Sequence, residues 1–75
     1  MENYANLNGN SSVTAFEIGQ DFIIVAFSDG SQYLYSYRSA GDTIIEQMKN
    51  LARAGRGLNS YIMRYAKTLY EKKIR

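Results

Sequence analysis

The chain has 75 residues, a net charge of +2 and neither cysteine nor histidine. This length supports one small domain, and the lack of cysteine excludes disulfide bonds and thiolate chemistry, as suits a protein of the reducing cytoplasm. No apolar run approaches the roughly 18 residues of a membrane-spanning helix and no targeting leader is recognisable, so we expect a cytoplasmic protein with no membrane partner.

Charge is distributed unevenly along the chain. Residues 1–40 contain four acidic residues and one basic residue, for a net charge of −3, whereas residues 41–75 contain eight basic and three acidic residues, for a net charge of +5. A basic half of this kind is typical of proteins with an anionic partner, although charged residues also simply solvate helices.

The first segment, MENYANLNGNS, is polar, rich in asparagine and without apolar periodicity. We therefore expect residues 1–11 to form a flexible lead and residues 12–75 to form a single domain. Within that domain, three β-branched and aromatic stretches predict three strands: SVTAFEI, DFIIVAF and QYLYSY.

The loop between the second and third strands sets which way the tyrosines face. A three-residue loop at 28–30 places Val25 opposite Tyr33 and Ile23 opposite Tyr35, whereas a two-residue loop shifts every pair by one. We favour the three-residue loop because it separates a large apolar face from a smaller, more polar one. The predicted apolar face is Ile23, Val25, Phe27, Tyr33, Tyr35 and Tyr37, and the opposite face is Ile24, Ala26, Ser28, Gln32, Leu34 and Ser36.

Two helices are predicted after the strands. The first has Thr43 and Glu46 at the spacing of a capping box, and Gly55 supplies its end. The second begins with Asn59 or Ser60 as the N-terminal cap and continues to the end of the chain. The predicted core stripes are Ile44, Met48, Leu51 and Ala52 on the first helix and Tyr61, Ile62, Tyr65 and Leu69 on the second, which also has a weaker stripe of Met63, Tyr70 and Ile74.

These elements predict an α+β fold, in which a three-stranded antiparallel sheet is followed by two helices packed on one face in a β-β-β-α-α two-layer arrangement. In this fold the tyrosine rings form part of the core and their hydroxyls reach the rim. A fully exposed ladder of rings is the alternative, but alternating apolar patterns usually mark burial.

Few residues are available for catalysis. The chain has no side chain that titrates near neutrality when unperturbed, and turns or helix starts account for nearly all its scattered carboxylates. We therefore predict that the protein is not an enzyme and has no catalytic residues, no metal site and no cofactor.

The stretch RAGRGLNS at 53–60 is the strongest candidate for a site. Its two glycines allow backbone N–H groups to approach an anion beside Arg53 and Arg56, and Arg64 and Lys67 follow one turn later. A helix stop followed by a tight turn also explains the glycines. We favour this explanation because the G-x-G motif alone is a weak signal. The predicted nucleic-acid-binding residues are Arg53, Arg56, Arg64 and Lys67 for phosphate and Tyr33, Tyr35 and Tyr61 for base stacking.

The order of motifs resembles the KTSC domain, a short module found at the C-terminus of some lysyl-tRNA synthetases and alone in bacteria and phages. The resemblance runs from Ser12 to about Tyr65. Its motifs are Val25-x-Phe27-x-x-Gly30, then Tyr33-x-Tyr35, then Gly55-x-x-Leu58-Asn59-x-x-Ile62. The resemblance implies a stand-alone, non-catalytic α+β module, for which RNA binding is the suggested function.

Two functions are compatible with these features. One is binding of RNA or other single-stranded nucleic acid through the basic half. The other is protein–protein interaction, as a homodimer or as a phage-encoded inhibitor of a host protein, through the second helical stripe or the sheet face that carries Ile24, Ala26 and Leu34.

Overall fold

The computed structural model describes residues 1–75 and contains a five-stranded antiparallel sheet with helices packed on it. The strands, which neighbour one another in chain order, are β1 (Glu2–Asn3), β2 (Val13–Ile18), β3 (Phe22–Phe27), β4 (Gln32–Ser36) and β5 (Lys72–Lys73). The helices are α1 (Tyr37–Ala40), α2 (Asp42–Ala54) and α3 (Leu58–Tyr61), and α3 continues into a π-helical segment at Ile62–Ala66. The predicted α+β class is confirmed, but the sheet has five strands rather than three.

The hairpin between β3 and β4 has the predicted register. The opposed pairs include Val25 with Tyr33 and Ile23 with Tyr35. The amide of Phe27 donates to the carbonyl of Ser31 at 2.9 Å, which leaves three residues in the loop. Gly30 adopts a φ of 89°, the positive value that such a loop requires of its last residue. Tyr33 and Tyr35 therefore lie on the same face of the sheet as Ile23 and Val25, as the sequence pattern predicts.

The N-terminal segment is part of the domain packing, in contrast to the predicted flexible lead. Its residues Glu2–Asn3 pair with β2, and Tyr4 is buried in the core. The hydroxyl of Tyr4 accepts a hydrogen bond from the amide of Leu58 at 3.2 Å, and the amide of Leu7 donates to the carbonyl of Gly55 at 2.8 Å. One aromatic anchor in a polar stretch has no periodicity, so the sequence pattern did not indicate this docking.

A short helix, α1, follows β4 where the sequence predicted continued strand. Ser36 caps it, because its hydroxyl accepts from the amide of Ser39 and the Ser39 hydroxyl bonds to the amide of Ser36. The prediction that Tyr37 belongs to the apolar sheet face is wrong, since Tyr37 lies in α1 and is exposed. The chain leaves the sheet here because this serine pair supplies helix-start hydrogen bonds that compete with strand pairing.

The first predicted helix corresponds to α2, and its predicted core stripe is confirmed at Met48 and Ala52, whereas Leu51 is only partly buried and Ile45 takes the place of Ile44. Ile45, Met48 and Ala52 are buried, whereas Ile44 is only partly buried. Two adjacent isoleucines both satisfy helical spacing, so the sequence could not discriminate between them. The predicted helix end at Gly55 is confirmed, because its amide donates to two carbonyls of the last turn and its φ is 77°.

The start of α2 differs from the predicted capping box. The helix begins at Asp42 after Gly41 and has no side-chain cap, so Thr43 lies inside the helix. The Glu46 carboxylate instead accepts a hydrogen bond from Lys49 Nζ at 2.7 Å and another from the Tyr37 hydroxyl at 2.6 Å. Glu46 therefore connects α1 to α2.

The second predicted helix starts and ends earlier than expected. It begins at Leu58 after Gly57, rather than after Asn59 or Ser60, and helical structure ends at Ala66. Leu58, Ile62 and Ala66 are buried in the core, whereas Tyr65, predicted in the stripe, is exposed. The buried residues recur every four positions, a spacing that the wider π-helical turn keeps on one face.

The core lies between the sheet and the helices. It contains Tyr4, Val13, Phe16, Ile23, Val25, Tyr35, Ile45, Met48, Ala52, Leu58, Ile62 and Ala66. Tyr35 is 2% exposed, and Tyr33 is partly buried against this cluster. The prediction that tyrosine rings belong to the core is therefore confirmed for both residues. No helix of the chain has the length and apolar character needed to cross a membrane.

Candidate functional site

A cavity of about 360 Å³ opens between the β3–β4 hairpin, the π-helical segment and the chain that follows it. We call it the tyrosine cavity. Its lining residues are Ser12, Phe27, Ser28, Asp29, Ser31, Tyr33, Tyr35, Met63, Lys67 and Tyr70. Its volume lies in the range of about 300–1,000 Å³ that is usual for small-molecule sites, and its lining combines aromatic rings with a few polar groups, as such sites do.

Four aromatic rings are held against one another in the wall of the tyrosine cavity. The ring centroids of Tyr33 and Tyr70 are 4.9 Å apart at an interplanar angle of 64°, and Phe27 meets Tyr33 edge to face at 5.8 Å. The Tyr35 and Tyr70 rings are 6.4 Å apart and nearly perpendicular. Tyr35 forms the floor, whereas Tyr70 is 41% exposed at the mouth. Edge-to-face packing of this kind fixes the rings and contributes beyond their buried area.

Two lysines flank the tyrosine cavity. Lys67 lines it directly, one residue after the π-helical segment. Lys73 is opposite Tyr33 in the β4–β5 pair, and its Nζ lies 5.8 Å from the centroid of the Tyr33 ring. A cation at this distance from an aromatic face is attracted by the ring quadrupole. The cavity thus combines a stacking surface with positive charge.

Asp29 supplies the one carboxylate in the cavity wall. Its Oδ1 accepts hydrogen bonds from the amide and the hydroxyl of Ser31, at 2.9 and 2.6 Å. The hydroxyl bond is the main cause that lowers the pKa of Asp29 below its usual value, and the backbone bond and the charge of Lys73 act in the same direction. Asp29 is therefore ionised at neutral pH.

The floor of the cavity is neutral at physiological pH. Burial disfavours the phenolate form of Tyr35 and raises its pKa to about 12, and the neighbouring Tyr33 and Tyr70 add smaller contributions in the same direction. The Tyr35 hydroxyl therefore stays protonated and acts as a dipole rather than a charge. Lys67 and Asp29 are left as the charged groups of the lining, and Lys73 lies beside the Tyr33 ring.

The structure groups only some of the predicted site residues. Tyr33, Tyr35 and Lys67 line the tyrosine cavity. Arg53 and Arg64 are exposed and line no cavity, and Tyr61 is partly buried with its ring 4.9 Å from that of Tyr65. The predicted set of seven residues is thus divided between the cavity and other parts of the helical half.

Arg56 lies in a separate polar pocket of about 130 Å³. The other lining residues are Tyr4, Asn6, Asn8, Asn10, Ser11, Gly57, Asn59 and Ser60. Gly55 and Gly57 have φ values of 77° and 81°, so both glycines are needed for the turn itself. The RAGRGLNS stretch therefore has the geometry of a helix stop and a tight turn, with Arg56 exposed beside asparagine side chains.

Sequence reasoning did not assign to the site three residues of the cavity lining, Tyr70, Met63 and Asp29, or Lys73 beside it. Tyr70 and Met63 were assigned to a second helical stripe, whereas they line the cavity from opposite sides of a chain reversal. Lys73 was assigned to a helix, and Asp29 to the hairpin loop alone. The alternation of Tyr33 and Tyr35 could have indicated that a further strand lies beside β4. That strand consists of Lys72 and Lys73, which have little strand propensity, so the sequence did not indicate it.

Comparison of the chain with protein-family models, curated proteins and solved structures finds no match. The resemblance to the KTSC domain stays a prediction.

No group of three or more acidic side chains comes together in the arrangement of a metal site.

Proposed function

We propose that this chain is a small non-catalytic module that binds RNA or other single-stranded nucleic acid, with one base in the tyrosine cavity and the adjoining phosphates beside Lys67 and Lys73. The observation that carries the proposal is the ring-lined cavity itself, which has lysines on two sides. Bases that stack on aromatic side chains contribute about 1–3 kcal/mol each, whatever their sequence.

The charge of the cavity favours an anionic ligand over a cationic one. Aromatic cavities also recognise quaternary ammonium groups, through the attraction between a cation and ring faces. Here Lys73 lies near the Tyr33 ring, and Lys67 and Asp29 line the wall, so a ligand meets two positive charges and one negative charge, a net charge of +1 that favours an anion. A nucleotide pairs a planar ring with a phosphate, which matches both the rings and the lysines.

The arginines of the helical half have a secondary role in this proposal. Arg53, Arg56 and Arg64 are exposed and lie outside the tyrosine cavity. They attract a polyanion over the length of the Debye screening distance, about 8 Å at physiological salt, without placing a base. Their contribution is therefore expected to be general and strongly screened by salt.

A salt titration of binding to a labelled random single-stranded RNA tests the proposal. If Lys67 and Lys73 each contact one phosphate, the slope of log affinity against log salt should decrease by about 1.4 in the K67A/K73A double variant. The matched control is R53A/R64A, which removes the same charge outside the cavity and should retain most of the affinity. Equal losses in both variants, or no binding at low salt, would contradict a cavity-centred interface.

A second candidate function, protein–protein interaction, has support from the sheet face opposite the tyrosine cavity. Phe22, Ile24, Leu34 and Ile74 line a shallow cavity of about 510 Å³ there. The rest of this lining is polar or charged: Asp21, Ser36, Arg38, Glu71 and Lys72. A partly apolar sheet face bordered by polar groups is a common site for a second copy or another protein, such as a host target. Sedimentation at high concentration, with L34E as the disrupting variant, tests self-association. A monomer at all concentrations excludes the homodimer.

A further inference from the structure

We propose that the tyrosine cavity prefers guanine, with the Asp29 carboxylate accepting the two adjacent N–H donors of that base. The inference rests on the proposed binding of nucleic acid and names the base that the cavity selects. It starts from the single carboxylate among the ten lining residues, which otherwise offer rings, hydroxyls, a thioether and one ammonium group.

The hairpin loop holds the carboxylate in one position. The amide and hydroxyl of Ser31 both donate to Oδ1 of Asp29, and Ser31 is itself buried. The second oxygen, Oδ2, has no hydrogen-bond partner within the chain. An ionised carboxylate is an acceptor only, with room for about four hydrogen bonds, so Asp29 retains acceptor capacity toward the cavity.

Guanine is the base whose edge fits an acceptor-only partner. Its ring N1–H and its exocyclic 2-amino group are adjacent donors. Adenine and cytosine place a ring-nitrogen acceptor beside their amino group, and uracil places carbonyl acceptors on both sides of its N–H. Each of these three would bring an acceptor lone pair against the ionised carboxylate, which has no donor to offer, so the two groups would repel each other although Asp29 is exposed. Stacking on the Tyr33 and Tyr70 rings tolerates any base. The contact that distinguishes guanine from the other bases is therefore the one with Asp29.

An arginine side chain offers a similar pair of donors but not the same charge. Its guanidinium would be attracted by Asp29 but repelled by Lys67, which lines the cavity, and by Lys73, which flanks it, so the net charge of +1 opposes its entry. Guanine presents the donor pair on a neutral ring and carries its charge on a phosphate, where the lysines attract it. The combination of Asp29 with two lysines therefore favours the nucleotide over the peptide.

The test uses the full chain and short oligouridines with a single guanine, hypoxanthine, adenine or cytosine at the centre. Guanine should bind tighter than adenine or cytosine by a factor of about 5, the lower end of the range for a bidentate contact to a base, because Asp29 is exposed and its Oδ1 already accepts two hydrogen bonds. Hypoxanthine, which lacks the 2-amino group, should fall between them.

The informative variant is D29N, which keeps an oxygen for the two Ser31 donors but presents the NH2 group, a donor, in place of Oδ2. It should lose the preference for guanine and bind adenine or cytosine at least as well as the wild type, because it also removes a negative charge. The matched control, D21N, makes the same charge change outside the tyrosine cavity and should keep the preference.

The outcomes distinguish failure of the guanine preference from failure of nucleic-acid binding. Salt-dependent binding of all oligonucleotides with equal affinity, or a guanine preference that survives in D29N, overturns the role of Asp29 and leaves nucleic-acid binding in place. Absence of binding to every oligonucleotide at low salt overturns both. Binding of a fluorescent arginine-rich peptide that D29N abolishes, with no binding of oligonucleotides, would assign the cavity to guanidinium groups instead.

Discussion

Gly55 lies where the N-terminal segment packs closely against the helical half. Its φ is 77°, and a Cβ added there would lie 2.6 Å from the Cβ of Ala5. We expect Gly55→Ala to lower the free energy of unfolding by about 2–4 kcal/mol, because left-handed backbone strain and the contact with Ala5 add together. Urea unfolding followed by circular dichroism measures this change.

Gly57 provides the matched control for that prediction. It lies in the same turn with a φ of 81°, but an added Cβ would be at an ordinary distance of 3.6 Å from the nearest atom, on Leu51. Gly57→Ala should therefore cost only the backbone strain, about 1–2 kcal/mol. Equal losses in the two variants would show that the contact between Ala5 and Gly55 adds nothing to stability.

Tyr35 makes the stability of the domain sensitive to alkaline pH. Its pKa rises from 10.0 in the unfolded chain to about 12 in the folded protein, mainly because burial disfavours the phenolate. Between these values the folded state binds more protons than the unfolded state, so the stabilisation present below pH 10 is lost as pH rises toward 12. Urea unfolding at pH 9, 10 and 11 should show a shallower decline for Tyr35→Phe, and an unchanged slope would contradict this assignment.

At the scale of elements, the buried Lys49 connects α2 to the β2–β3 turn. Its side chain is 4% exposed, and Nζ donates to the carbonyl of Gln20 at 2.8 Å and to Glu46 Oε2 at 2.7 Å. The hydrogen bond from Lys49 is the main cause that lowers the pKa of Glu46 from 4.5, and the Tyr37 hydroxyl adds to it. The link therefore depends on the ionised form of Glu46.

A lowered folded-state pKa makes this link sensitive to acid. The stabilisation from Glu46 is present above its ordinary pKa of 4.5 and is lost as pH falls through the lower folded value. Lys49→Met keeps the buried stem but removes the ammonium group, so it should lower stability at pH 7 and reduce the decline in stability below pH 4.5. Thermal unfolding at pH 7 and pH 3 measures both effects. A decline as steep as that of the wild type would place the acid response elsewhere.

The elements that the sequence predicts are those with long, regular periodicity. The strands β2, β3 and β4 each contain five or six residues with β-branched and aromatic side chains, and α2 has thirteen residues with a clear stripe. The strands β1 and β5 contain two residues each, and distant partners decide their conformation. Local patterns carry no information on such pairing.

The C-terminal segment shows the same limit within the candidate site. Tyr70 and Ile74 have helical spacing, which explains the predicted helix. In the structure the amide of Glu71 instead donates to the carbonyl of Leu34 at 2.6 Å, and that of Ile74 donates to Gln32 at 2.7 Å. The strand addition thus supplies hydrogen bonds to carbonyl groups at the edge of β4. These carbonyls would stay unpaired if the terminal segment were a helix. Tyr33, Tyr35 and Lys67 could be predicted as site residues, whereas Tyr70 and Lys73 depend on this strand addition.

At the scale of the whole molecule, the core and the candidate site are formed by different parts of the chain. All twelve residues of the core cluster precede Lys67, the last of them being Ala66. The tyrosine cavity, in contrast, needs Tyr70 in its wall and Lys73 beside Tyr33, and both belong to the segment that adds β5 to the sheet. The fold and the proposed function can therefore be separated experimentally.

A chain that ends at Leu69 should fold but lose its nucleic-acid binding. The core remains complete, so we expect circular dichroism and a cooperative thermal transition close to those of the full chain. Loss of the Tyr70 ring and of Lys73 removes one stacking partner and one cation, which should weaken binding to single-stranded RNA by a factor of about 5 to 150. The full chain with Y70A/K73A is the control, because it removes the Tyr70 ring and the Lys73 ammonium group but keeps β5 backbone pairing and the charges of Glu71, Lys72 and Arg75.

Sedimentation of the truncated chain separates this result from a change in assembly. Removal of β5 exposes the edge of β4, and an uncovered edge strand is a site for pairing between chains. If the truncated chain stays monomeric and binds weakly while Y70A/K73A behaves in the same way, the lost groups account for the loss of affinity. If both variants bind RNA as well as the full chain, the base does not enter the tyrosine cavity, and the exposed arginines of the helical half become the interface.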